Sequence, residues 1–142
     1  MKLIHYLFPV KGYTKESSTF LLVSRFVFGL LLASHGWQKL MGFKTMSTQF
    51  PDPLGVGSDI SLALAIFGEL ACSLSFVFGF LSRLVLIPMI FTMCVAFFTA
   101  HGGSIAEGEL AFSYMVLFLL LLLAGPGRFS IDALIGKKLF SR

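Results

Sequence analysis

Long apolar runs, broken by short polar or glycine-rich stretches, dominate this chain. Four stand out, near Phe20–Leu40, Ser61–Phe80, Leu84–Ala100 and Leu110–Ala124. Roughly 17–25 helical residues cross the hydrocarbon of a bilayer, so the first three runs are long enough. The fourth is short and can extend through Gly125 towards Phe129. A backbone inside lipid must satisfy its own hydrogen bonds, which makes these runs helices. The punctuation agrees. Ser17, Ser18 and Thr19 offer N-caps for the first helix. Pro51, Pro53, Gly55 and Gly57 break the chain before the second. Leu81-Ser82-Arg83 leaves only a very short turn, so helices two and three are antiparallel neighbours. Gly102-Gly103 ends the third helix and Gly125-Pro126-Gly127 the fourth. Pro88, near the start of the third, predicts a kink or a first-turn position. After the fourth, Ile131, Leu134, Ile135 and Leu139 can share one side, with Lys137 and Lys138 at its rim. That pattern predicts a short amphipathic helix at the membrane interface, capped by Ser130.

Composition turns this pattern into a class. The chain is 56% hydrophobic and 13% charged over 142 residues, with a mean hydropathy of +0.89. Soluble domains carry roughly 25% charge and 45–50% apolar residues, so a soluble core is excluded. The predicted fold is all-α: one domain over residues 1–142, an integral membrane four-helix bundle. A pI near 9.3 could suggest nucleic acid. Basic residues interleaved with long apolar runs fit a lipid bilayer instead. Lys2, Lys11, Lys15, Arg83, Arg128, Lys137, Lys138 and Arg142 fall on one set of loops, and only Lys39 and Lys44 on the other. An excess of Lys and Arg marks the cytoplasmic side, which predicts that both termini are cytoplasmic. The short apolar run before Pro9 makes a weak secretory signal, and no small-residue cleavage pattern follows it.

Charges inside the apolar runs carry the candidate chemistry. Arginine or a carboxylate at a helix centre costs roughly 2.5–3.5 kcal/mol to insert, so such groups face the bundle and pair. Arg25 lies on helix one and Glu69 near the middle of helix two. At about 1.5 Å rise per residue their axial gap is roughly 10 Å, which a long arginine could nearly close, directly or through water. Gly29, Leu32, Gly36 and Lys39 share the stripe of Arg25 within roughly 40°. Two readings stand for the pair: a structural ion pair that sets helix register, or a proton-active, ligand-binding site at the bundle centre. His35 and Lys39, one turn apart, could form a polar mouth with His101 and Glu109. Cys72 and Cys94 belong to no CxxC or Cys/His ligand spacing, so a zinc site or disulfide framework has no support, and the His35–His101 pair as a haem or metal site is the lesser alternative, with unequal depths and no other ligands. The two cysteines are a redox pair or, by the habit of free cysteine, inert buried packing. Trp37 reads as an interfacial anchor.

Several of these pieces occur together in a known order. They are Arg25 with Gly29, His35-Gly36-Trp37-Gln38-Lys39-Leu40-Met41-Gly42-Phe43, Gly68-Glu69, Gly79 with Arg83, Glu109, and Gly125-Pro126-Gly127-Arg128-Phe129-Ser130-Ile131-Asp132-Ala133-Leu134. In this the chain resembles the DoxX family of small bacterial membrane proteins. The resemblance implies a four-helix fold in the bacterial inner (cytoplasmic) membrane. Members are linked to membrane oxidoreductase assemblies, among them a thiosulfate-to-quinone system in a related branch and a complex with a superoxide dismutase and a sulfurtransferase. The sequence itself has no flavin, nicotinamide or iron–sulfur fingerprint, so redox cofactors would come from partner subunits or from a membrane quinone. The expectation is a membrane subunit or anchor of an oxidoreductase system, with Arg25, His35, Lys39 and Glu69 lining an intramembrane polar pocket and a homo-oligomer compatible with it. A small-molecule transporter component and a ligand-free scaffold are the alternatives. A quinone site predicts a lateral opening to lipid, transport predicts openings at both ends in turn, and a scaffold predicts a closed core.

Overall fold

The computed structural model describes residues 2–9 and 12–140. Lys11 and Arg142, two of the basic residues that set the expected orientation, lie outside them. The described residues form helices without strands: α1 (Lys2–Leu7), α2 (Lys15–Met41), α3 (Phe43–Met46), α4 (Ser58–Phe78), α5 (Ser82–Ala100), α6 (Ile105–Ala124) and α7 (Ile131–Phe140). Helices α2, α4, α5 and α6 are long and apolar enough to cross a membrane. Helices α1 and α7 lie at one end of this bundle, the terminal end. The connections around residues 42–57 and 101–104 form the loop end.

Boundaries differ from the sequence reading most at the starts of α2 and α6, each for a local reason. Helix α2 starts at Lys15, because Thr14 is the residue in extended conformation whose hydroxyl accepts from the Ser17 amide at 3.2 Å. The hydroxyls of Ser18 and Thr19 donate to carbonyls four residues back instead. Helix α6 gains its length at the opposite end from that expected. It begins at Ile105 and stops at Ala124, where Gly125 takes a positive φ of 85°. Helix α1 was not foreshadowed by the apolar pattern. It is held from the side by Arg83, whose guanidinium lies 3.9 Å from the centroid of Tyr6 and donates to the Tyr6 carbonyl.

The core is built from Leu21, Leu32, Cys72, Phe76, Leu86, Met89, Met93, Tyr114, Phe118 and Leu121. Phe118 stacks on Tyr114 and meets Phe76 edge-on. Distribution of polarity is reversed relative to a soluble protein. Phe20, Leu30, Phe67, Ile87, Phe91, Leu120 and Leu123 are exposed, while Arg25, Glu69 and Asp132 are buried. An apolar shell of this extent around buried charges is what lipid requires. Close helix contact comes from glycine. A Cβ on Gly36 would stand 2.7 Å from the Leu70 amide nitrogen and 2.9 Å from the Glu69 carbonyl carbon, so α2 lies against the α4 backbone there.

Two of the spans are not regular. Phe67–Ala71 in α4 and Ala96–Ala100 in α5 are wound as π-helix. Pro88 sits inside α5 and leaves one carbonyl of the preceding turn without its usual partner. The Thr92 hydroxyl donates back to the Pro88 carbonyl at 2.9 Å.

Candidate functional site

Within the loop-end half, a cavity of about 400 Å³ lies between α4, α5 and the segment after α3. Its walls are apolar: Phe50, Pro51, Pro53, Leu54, Leu64, Phe67, Phe91 and Val95 among them. Its charged groups are Lys39 and Glu69. The Lys39 ammonium donates to Glu69 Oε2 at 2.5 Å. The carboxylate is nearly buried and the ammonium about a quarter exposed. Leu64, Phe67 and Phe91 line the cavity and are also exposed on the flank of the bundle, so the space opens sideways between α4 and α5. Both π segments contribute to it, through Phe67 and Glu69 on one side and Ala96, Thr99 and Ala100 on the other. Single wide turns of this kind recur at functional sites because they turn side chains out of α-helical phase.

The loop over the cavity is pinned by Asp52. Its carboxylate accepts from the amides of Val56 (3.0 Å) and Gly57 (2.7 Å) and from the Ser61 hydroxyl (2.8 Å). These bonds, with Ser61 first, hold its carboxyl below the ordinary aspartate value. Pro51 and Pro53 on either side of it belong to the cavity wall.

The expected Arg25–Glu69 pair is not formed. Gly79 lies directly beside the Arg25 guanidinium. Gly79 is ten residues beyond Glu69 along α4, roughly 15 Å of helix. Lys39, three residues past the Gly36 contact, reaches Glu69 instead. Arg25 belongs to a second polar cluster, at the terminal end. Its Nη2 donates to the Phe129 carbonyl. Asp132, wholly buried, lies within electrostatic reach of it. The Asp132 carboxylate accepts from the amides of Leu81 (2.7 Å) and Ser82 (2.8 Å), capping α5. The Asp132 amide donates to the Gly79 carbonyl at 2.9 Å. Ser130 caps α7, its hydroxyl accepting from the Ala133 amide at 3.1 Å. Tyr13 donates to the Ala124 carbonyl at 3.1 Å, and burial pushes its phenol up, keeping the donor proton in place. Arg83 donates to the Leu122 carbonyl near the same helix end.

The other candidates are dispersed. His35 and His101 are half-buried and Glu109 is exposed, and none of the three lines the cavity. Cys72 and Cys94 are free thiols. Cys72 is packed in the core and Cys94 lies 3.3 Å from the Met115 sulfur. Among the described residues no group of three His, Cys, Asp or Glu could hold a metal ion. Sequence reasoning missed Asp132 as the cap of α5, although its place two residues after Ser130 marked a helix start. It also missed the proline-rich loop as a wall of the cavity, for which no local signal existed.

Similarity to known proteins follows the same parts of the chain. The DoxX family profile matches residues 20–102, which span α2 to the end of α5. Inner membrane protein YqjF of Escherichia coli K12 is 35% identical over 124 residues, covering 82% of this chain and 92% of that protein. An uncharacterized protein of Haemophilus influenzae is 28% identical over 130 residues, covering 85% and 86%. No solved structure matches the chain. With four membrane-capable helices, a family profile over more than half its length and an inner-membrane relative over most of it, the chain belongs to the DoxX family and is a multi-pass inner membrane protein.

Proposed function

We propose that this protein is the membrane subunit of an oxidoreductase system and that the Lys39–Glu69 cavity receives the head of a quinone. The observation that carries the reading is the cavity itself. It is apolar, opens on the lipid-facing flank and contains one ion pair. Its volume of about 400 Å³ falls in the range of small-molecule sites, roughly 300–1,000 Å³. A quinone arriving through lipid presents carbonyl oxygens that accept hydrogen bonds and a tail that matches Leu64, Phe67 and Phe91. Lys39 donates to a carbonyl oxygen. Glu69 relays protons as the ring takes up two electrons from a redox partner subunit and two protons from the aqueous side, or returns both on oxidation. A transporter needs a path to the terminal end, and the Arg25, Asp132 and Ser130 contacts fill that end. A ligand-free scaffold has no use for a laterally open cavity.

Photolabelling tests the site. An azido-ubiquinone should modify residues within Phe67–Ala71 or Thr92–Ala100. Glu69→Gln and the double change Lys39→Met, Glu69→Gln, which leaves no buried carboxylate unpaired, should each reduce the labelling at least severalfold in protein that still folds. Labelling elsewhere, or labelling indifferent to both changes, rejects the quinone reading.

The same proposal places the terminal end in the cytoplasm, with α7 at the membrane interface. Helix α7 turns Asp132, Ala133 and Gly136 into the bundle and leaves Leu134, Leu139 and both lysines exposed. In a cysteine-free background, Lys44→Cys should react with a membrane-impermeant maleimide added outside intact cells, and Lys138→Cys should not. The opposite pattern reverses the orientation.

A further inference from the structure

The terminal end carries a groove that the quinone reading leaves unused. It encloses about 430 Å³ and is lined by Phe78, Arg128, Phe129, Ile131, Leu134 and Lys137, with Ser130 at its base. Its two cations are exposed and, among the described residues, make no salt bridge. Its floor is apolar. Phe78 is the last residue of α4 and is 62% exposed, so the floor runs without a break into the lipid-facing flank of that span. Behind the wall stands Arg25 with Asp132, whose opposite charges offset one another. Arg25 donates to the carbonyl of Phe129, a lining residue, while its Nε and Nη1 are buried without a hydrogen-bond partner. The nearest acid, Asp132, spends both carboxylate oxygens on the amides of Leu81 and Ser82.

We infer that this groove is a binding site for an anionic phospholipid: its phosphate lies between Arg128 and Lys137, and an acyl chain runs over Leu134 and Phe129 towards Phe78. Two observations specify this occupant. Two unpaired exposed cations fit a phosphate. An apolar floor continuous with the membrane flank fits a chain that cannot leave the bilayer. Basic pockets at the membrane–water boundary recognise anionic headgroups on these terms. The inference is independent of the quinone reading.

Native mass spectrometry of the detergent-solubilised protein tests it. Wild type should retain phosphatidylglycerol over phosphatidylcholine by roughly tenfold, and the double change Arg128→Gln, Lys137→Gln should lower phosphatidylglycerol retention by a similar factor. Lys15→Gln, which removes a positive charge from the same end but outside the groove, should leave retention at the wild-type level. Leu134→Gln keeps both cations and spoils the floor, so it should also reduce retention. Inorganic phosphate should not displace the lipid. Equal retention of the two lipids overturns the site. Loss on Lys15→Gln as large as on the double change assigns the effect to diffuse charge and overturns it too. Displacement by inorganic phosphate, with Leu134→Gln silent, makes the groove a free-anion site and rejects the lipid.

Discussion

Each half of the bundle buries charge, and the two halves treat it differently. At the terminal end, the Asp132 carboxylate is fully enclosed and each oxygen accepts a backbone amide. Arg25 is held against the Phe129 carbonyl, with Gly79 pressed beside it. These groups join α7 to the start of α5 through backbone bonds that a ligand would have to break. In the loop-end half, Lys39 and Glu69 satisfy one another beside open space, next to two π segments. A buried charge that bonds to the backbone fixes an architecture. One that bonds to another side chain at the edge of a cavity can exchange its partner. Asp132 thus has the surroundings of a structural acid, and Glu69, under the quinone proposal, those of a ligand-binding one, although both are acids in the same small bundle.

The largest effect expected from this division is on stability. Asp132→Ala strips the cap from α5 and leaves Arg25 without its nearest acid. Removing one partner of a buried charged cluster costs about 3–5 kcal/mol, so unfolding in detergent should move to markedly lower temperature. Glu69→Gln should move it far less. Equal destabilisation by the two changes breaks the distinction. Gly36→Ala comes next. Its methyl group would meet the backbone at Glu69 and Leu70, which cannot yield as a side chain does. Overpacking of this kind costs about 1–3 kcal/mol, and the displaced Glu69 should weaken quinone photolabelling beyond what the stability loss explains. The smallest effect concerns Asp52. Its carboxyl is held low by Ser61 and by the amides it accepts. The ordering it gives the loop is therefore present at neutral pH and lost as pH falls below about 4, through the lowered folded value. Amide exchange at Val56 and Gly57 should quicken in Asp52→Asn, and in wild type on acidification once corrected for intrinsic rates. Unchanged protection in the variant detaches Asp52 from the loop.

How much of this was legible in the sequence follows from what each feature depends on. Hydropathy depends on residues in order, and the four spans, the glycine stops after α5 and α6, and Ser130 as a helix cap can all be read from it. The partner of Glu69 depends on how far one helix slides along another. Gly36 meeting Leu70 sets that slide, and the sequence marks Gly36 as small without saying what it touches. A roughly 10 Å gap between Arg25 and Glu69 rested on centring both helices at one depth. The observed contacts put Arg25 at the level of Gly79 and leave Glu69 to Lys39. The π segments were illegible for a related reason. Their residues, Phe67–Ala71 and Ala96–Ala100, are ordinary helix formers apart from Gly68, and the wide turn is a response to tertiary packing.

Those wide turns have a consequence for how this fold tolerates insertion and deletion. A π turn accommodates one residue more than the α-helix around it. Removing a single residue from Phe67–Ala71 restores an ordinary helix. The turns on either side stay in register, whereas a deletion from regular helix rotates one side by about 100° relative to the other. Elsewhere in α4 the same deletion would swing the apolar stripe out of the core and misplace the whole span. Here the surplus residue absorbs the change, and the cost falls on the direction in which Glu69 points. A one-codon gap in α4 or α5 is therefore a route by which the family can close or reopen the cavity while the bundle around it survives.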